Sequence, residues 1–232
     1  DETKKALSES VGDDQLIVQA VSAIEDCDKA ANLLARRLRE WYEWYFPELS
    51  RKVTDNEAFA RLVAEKPRGH LMAELDINKT MGAPFKEEDV TDMVTLAGSV
   101  GALYEERDLL EGSIKRVMKR HCPNLLALAG PTIGARLLRE AGSLRRLATI
   151  QASTIQVYGA EKALFRHLRS GAKPPKHGYI IHHPLLTKAP QKDKGKVARA
   201  LADKLSIASR VDYFKGEPIG EKLKKELEAR FS

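Results

Sequence analysis

Apolar residues recur at alternating spacings of three and four through Ile17, Ala20, Ile24, Cys27, Ala31, Leu34, Leu38 and Trp41, and Tyr45 continues the series. A seam this long without interruption is the pattern of a coiled coil. A second series runs through Met93, Leu96, Val100, Leu103, Leu110, Ile114 and Val117, with Arg107 as its one charged seam position. Two helices of about 33 residues, each about 50 Å long at 1.5 Å per residue, are most simply joined as an antiparallel hairpin. Ala20, Cys27 and Ala31 are small enough to let the helices approach closely, so Cys27 reads as a core residue rather than a reactive thiol.

The segment between the two series, residues 46–88, is too long for a plain loop in a compact domain. Pro47 stops the first helix, NEAFARLVAE (Asn56 to Glu65) has helical apolar spacing, and Gly82, Ala83 and Pro84 punctuate the return to EEDV. A small helical tip is predicted. Trp41, Trp44, Tyr45 and Phe46 gather aromatics at its start. They form either a local mini-core or a contact with another molecule, and the sequence leaves both open.

Beyond residue 120 the pattern stays helical. Pro131 marks a helix start, Ile133, Leu137 and Leu138 give that helix an apolar face, and Gly142 and Ser143 have the character of a C-terminal cap and the next N-cap. A longer helix is predicted over 153–170 with Gly171 as its stop, broken or closely approached at Gly159. Further helices follow over 192–209 and 220–230. YIIHH, Tyr179 to His183, is the one β-like run.

Charge changes the picture. Residues 1–114 carry 14 basic and 24 acidic groups, a balance of −10, whereas residues 115–232 carry 25 and 9, a balance of +16. The overall +6 hides a C-terminal half suited to a polyanion. No apolar run approaches the roughly 20 residues that span a bilayer, and no signal-type segment opens the chain, so nucleic acid is expected rather than membrane. Two cysteines without CxxC spacing exclude a disulfide framework and a zinc ribbon, and the chain reads as intracellular. No HxE, GxGxxG, Walker-type loop or nucleophile motif is present, so intrinsic catalysis, a cofactor and a metal are not expected. His182 and His183, adjacent on an extended run, would point to opposite sides and could not easily share a metal.

Within the basic half, Lys162, Arg166 and Arg169 fall at i, i+4 and i+7, so three cations share a helix face suited to phosphates. Ala163, Leu164, Phe165 and Leu168 supply apolar contacts elsewhere on that helix. If it restarts near Gly159, the N–H groups of Gly159 and Ala160 could receive a phosphate. Glu161, an odd neighbour for RNA, is read as capping the helix start or orienting Lys162. Arg136, Arg139, Arg145 and Arg146 form a second basic cluster that either faces RNA or balances Glu140 and solvates its helix. Gln156, Ser153 and Thr154 serve RNA or cap a helix. Lys173, Lys176 and His177 lie on a Pro-restricted loop suited to backbone contacts. Arg199 stands outside these groups.

The pieces GARLL, AGSL, ASTIQ, GAEK and ALFR, in that order between Gly134 and Arg169, resemble the blocks of the Nop domain, and REWYEWYFPEL (Arg39 to Leu49) resembles a second block of that family. The resemblance implies a non-catalytic RNA–protein scaffold of the kind found at the core of archaeal box C/D particles for RNA-guided 2′-O-methylation and of nucleolar and spliceosomal relatives. It implies contact of Lys162 and Arg166 with RNA, because they lie in the GAEK and ALFR blocks. The implied partners are a box C/D guide RNA with a kink-turn, the ribosomal-type protein bound to that kink-turn, and a second copy of the chain held through the coiled coil, for which Leu34, Leu38, Trp41, Trp44, Tyr45 and Phe46 are the candidates. Fibrillarin, the methyltransferase, is expected only through a further N-terminal domain to which nothing here corresponds, so the chain, which begins without Met, reads as a fragment. The setting would be cytoplasmic in an archaeon or nucleolar in a eukaryote. A spliceosomal-type Nop scaffold and a generic basic helical RNA-binding protein remain alternatives. The expected fold is all-α: a long antiparallel coiled-coil hairpin with its helical tip over 1–120, then a compact helical Nop domain over 121–232.

Overall fold

The computed structural model describes residues 3–4 and 11–231. Among them are twelve α-helices and no strand. In chain order the helices are α1 (Asp13–Tyr42), α2 (Pro47–Lys52), α3 (Asn56–Glu65), α4 (Arg68–Glu74), α5 (Glu87–His121), α6 (Pro123–Ala141), α7 (Leu144–Thr149), α8 (Ala152–Val157), α9 (Glu161–Ser170), α10 (Pro184–Lys188), α11 (Lys194–Tyr213) and α12 (Gly220–Phe231). The two heptad series are α1 and α5. α5 opens on Glu87, Glu88 and Asp89 and closes on Lys119, Arg120 and His121, the signs its macrodipole favours at each end.

The chain divides into two compact units, one of Ala23–Leu110 and one that joins Asp1–Ser22 to Glu111–Ser232. This places the boundaries inside the two long helices, not at 120/121. The reason is visible in the second unit: Arg120 is bonded to Asp13 at 2.6 Å, His121 to Asp14 at 2.8 Å, and Asp14 also accepts the Leu144 N–H. The Arg120 guanidinium holds the Asp13 carboxyl below its ordinary range.

In the coiled-coil unit, the seam residues Ala31, Leu38, Met93 and Val100 are buried, and so is an adjoining row of Ala35, Tyr42, Ala97 and Tyr104. The second row is covered because Phe46, Leu49, Phe59, Ala60, Val63 and Leu71 of the tip join the same core. Each long helix therefore buries a wider stripe than a two-stranded seam needs. Arg107 turns out of the seam to Glu57 and Asp108. Arg39 donates to the carbonyls of Val53, Thr54 and Asp55 and lies 4.2 Å over the Phe59 ring, while Arg68 donates to Tyr45 and Ala83 and lies 4.1 Å over the Tyr45 ring. Two arginines thus close the turns around the core. Gly82 is required where it stands, since a Cβ there would lie 1.9 Å from the Tyr45 carbonyl oxygen.

In the basic unit α11 packs against α6, α7 and α8. α6 is interrupted at Gly130 (φ +73°, ψ 173°) and resumes at Pro131. Gly142 closes it in the left-handed conformation, and Ser143 caps α7 by accepting the Arg146 N–H. The helix predicted over 153–170 is two helices, α8 and α9, parted at Gly159. The β-like reading of Tyr179 to His183 is corrected, because Tyr179–His182 is one turn of 3₁₀ helix. His183 is buried there. Its Nε2 contacts the Leu128 carbonyl at 3.0 Å and its Nδ1 accepts the Leu185 N–H at 3.2 Å, so the proton sits on Nε2 and the neutral ring caps α10. Burial lowers its pKa, which suits that neutral role. His182, by contrast, is exposed.

A buried polar knot joins three segments of this unit. The Asp212 carboxylate accepts the N–H groups of Asn124 and Leu125 and the Asn124 side-chain amide at 2.8–3.0 Å. Asn124 Oδ1 in turn accepts the N–H groups of Ile219 and Gly220, both at 2.7 Å. The carboxylate meets orphan donors at the start of α6, and Asn124 clasps the start of α12. Burial raises the Asp212 pKa, against the pull of its three donors.

Candidate nucleic-acid interface

α9 is built to stand apart from the core. Gly159 has φ +85° and Gly171 φ +67°, both left-handed, so the chain turns sharply at each end of the helix. Lys162, Arg166 and Arg169 are exposed and, with Phe165 and Ser170, line an open recess on its surface. No residue of α9 is buried: Phe165 is 62% and Leu168 69% exposed. Phe165 and Leu168, read as supplying apolar contacts, thus leave most of their surface uncovered. An amphipathic helix whose apolar residues lie bare beside its cations is suited to a surface that is part polyanion and part apolar.

The N–H groups of Gly159 and Ala160 are not available to a phosphate, which corrects that reading. Gly159 N–H donates to Glu161 Oε1 at 2.7 Å, and Ala160 N–H donates to the Val157 carbonyl at 2.9 Å. Glu161 therefore serves the turn that launches α9. Tyr179 holds the same turn from the other side. Its N–H donates to the Tyr158 carbonyl, its ring lies where a Cβ on Gly159 would be 2.7 Å away, and its hydroxyl donates to Glu140 at 3.0 Å. Burial and the Glu140 carboxylate push the Tyr179 hydroxyl pKa up. Arg139 donates to the Tyr179 oxygen and to Glu140, and the Arg136 guanidinium sits 5.7 Å from the Tyr179 ring. Of the second basic cluster, then, Arg136 and Arg139 are half-buried structural residues that support the turn, whereas Arg145 and Arg146 on α7 are exposed.

Gln156 also has an internal task, because its Nε2 donates to the Lys176 carbonyl at 2.7 Å. Together with the bond from Gly178 N–H to the Gln156 carbonyl, this pins the loop after α9 to α8. Ser153 and Thr154 are exposed on α8. Lys173 and Lys176 project from the loop and are exposed, while His177 is half-buried, its pKa lowered by burial and by the charge of Lys194. Lys176 shares a cleft with Lys192, Lys196 and Arg199, three residues that the motif blocks did not mark. The signal was present in their spacing of four and three.

The self-association candidates lie in the coiled-coil unit. Leu38 and Phe46 have no exposed area and hold that unit's own core, and Leu34, Trp41 and Tyr45 are partly buried against it. Trp44 is 68% exposed, and so are two leucines off the seam, Leu33 at 58% and Leu109 at 70%. Among the described residues no group of three His, Cys, Asp or Glu side chains could hold a metal ion, and no helix is long and apolar enough to cross a membrane.

Comparison with known proteins bears on this geometry. The family model for Nop, described as snoRNA binding domain, fibrillarin, matches residues 23–232. An uncharacterised NOP5 family protein of Methanocaldococcus jannaschii is 42% identical over 98% of this chain and 59% of its own length. Nucleolar protein 58 of Schizosaccharomyces pombe is 41% identical over 86% of this chain and 42% of its own. The chain thus spans about half the length of these relatives. The crystal structure of a fibrillarin/Nop5p complex contains a chain that superposes with a TM-score of 0.60 at 28% identity, over 99% of this chain and 71% of that one. With its all-α fold and a family match that takes in both compact units from Ala23 onward, the chain belongs to the Nop family.

Proposed function

We propose that the protein is a non-catalytic scaffold of a box C/D ribonucleoprotein, acting in RNA-guided 2′-O-methylation. Its basic unit docks on a kink-turn RNA together with the ribosomal-type protein already bound there, and its coiled-coil unit pairs it with a second copy. The observation that carries this reading is α9, which displays Lys162, Arg166 and Arg169 beside the bare side chains of Phe165 and Leu168. The cations suit phosphates, and Phe165 and Leu168 suit an apolar patch on the protein half of a composite target. Trp44, Leu33 and Leu109 are the exposed apolar side chains from which self-association would draw. Fibrillarin would join through a part of the relatives that this chain does not span. The relatives' names fit a nucleolar setting in a eukaryote and a cytoplasmic one in an archaeon.

The test is a gel shift on a kink-turn RNA with and without its bound protein. Binding to the preformed complex should far exceed binding to either component, because the basic face alone supplies only nonspecific attraction. Lys162→Ala with Arg166→Ala should weaken that binding and flatten the slope of log affinity against log salt by somewhat less than about one unit per lost phosphate contact. Equal affinity for any naked RNA, or normal assembly by the double variant, would count against the reading.

A further inference from the structure

The spacing of Lys162, Arg166 and Arg169 occurs a second time, at Lys192, Lys196 and Arg199. In the fold these three share one cleft with Lys176, from the loop after α9, and with Gln156 of α8. Four cations from the loop, from the turn before α11 and from α11 itself converge there, and no carboxylate lines the cleft. Lys196 lies 3.6 Å from Asp193, whereas Lys176, Lys192 and Arg199 have no ion-pair partner among the described residues. Asp193, the N-cap of α11, is the one acid at that helix start, and the first turn after it adds Lys194 and Lys196 but no carboxylate. Like charges held together repel, and among the described residues Asp193, beside Lys196, is the one ion-pair partner these four cations have.

The cleft is rigid on one side. Gln156 fixes the Lys176 carbonyl, and Pro174 and Pro175 restrict the loop that carries Lys176, so this wall needs little ordering when a ligand arrives. The row from Lys192 to Arg199 is about 10 Å long at about 1.5 Å per residue, longer than one phosphate group. A single free anion would not need so long a row. We infer that this cleft is a second phosphate-backbone site, which grips a further stretch of the same RNA that α9 engages. The inference rests on the RNA-binding reading above, but it assigns residues outside the motif blocks that suggested that reading.

The test uses the full chain and a kink-turn RNA, with its bound protein, whose stem extends into a single-stranded tail. Lys192→Gln, Lys196→Gln and Arg199→Gln together should lower affinity roughly tenfold or more and reduce the salt slope by about two units. The control is Lys222→Gln, Lys225→Gln and Arg230→Gln on α12, which removes the same charge elsewhere and should change the slope far less. The six substituted side chains are exposed, so the fold should persist, and circular dichroism of each variant checks it. Amine labelling gives a second readout: RNA should protect Lys176, Lys192 and Lys196, and inorganic phosphate alone at matched ionic strength should not. An unchanged slope, or an equal change in the control, would overturn the site while leaving the α9 reading intact. Protection by inorganic phosphate alone would make the cleft a free-anion site and overturn it too. Failure of the unaltered chain to bind RNA would sink both readings together.

Discussion

Helices α3 and α9 are each ten residues long, and both are amphipathic, yet they end in opposite situations. α3 buries Phe59, Ala60 and Val63 in the coiled-coil unit, whereas α9 buries nothing. The aromatic of one is sealed under Tyr42 and Arg39, and the aromatic of the other is open to solvent. Amphipathic spacing therefore states that a helix has a side to cover, and only the fold states whether the cover lies within the chain. Where it does not, the bare side is a candidate surface for another molecule.

The comparison breaks most decisively at Phe59. Phe59→Ala should cost about 3–5 kcal/mol in denaturant unfolding, because the ring is fully buried and its removal leaves a cavity in the core. A loss under about 1 kcal/mol would mean that α3 is not the core helix described. A middle effect is expected at its cap, where Asp55 accepts the Ala58 N–H at 2.8 Å. Asp55→Ala should lower stability by about 1 kcal/mol, read from the same transition. The smallest effect belongs to α9, where Phe165→Ser with Leu168→Ser should leave stability within about 0.5 kcal/mol of the parent. A loss on the scale of Phe59 would show that these side chains are covered, and α9 would then cease to be a surface.

Local features were legible in advance because they write themselves into neighbouring residues. The seams, the run from Asn56 to Glu65, the caps at Gly142, Ser143 and Gly171 and the break at Gly159 all follow from spacing or from one residue's backbone preference. The three cations of α9 share a face for the same reason. Pairings across long stretches were not legible. Asn124 and Asp212 are 88 positions apart, and no neighbour of either announces the other. Arg136 and Arg139 read as facing RNA or balancing Glu140, and nothing near them announced Tyr179, which lies 40 positions beyond Arg139. The run YIIHH has β-branched composition, but His183 has to face Leu128 and cap α10, and that decided in favour of a helical turn.

The knot at Asn124 also has a consequence for the order of folding. It closes loops of 88 and 95 residues in one stroke, and such closures cost chain entropy before any contact returns it. Helices α6 to α9 can find one another through shorter connections, whereas Asp212 and Gly220 arrive only when α11 and α12 return to the start of α6. In a chain made from its N-terminus, the start of α6 waits with bare amides for nearly a hundred residues, and the knot is among the last things to form.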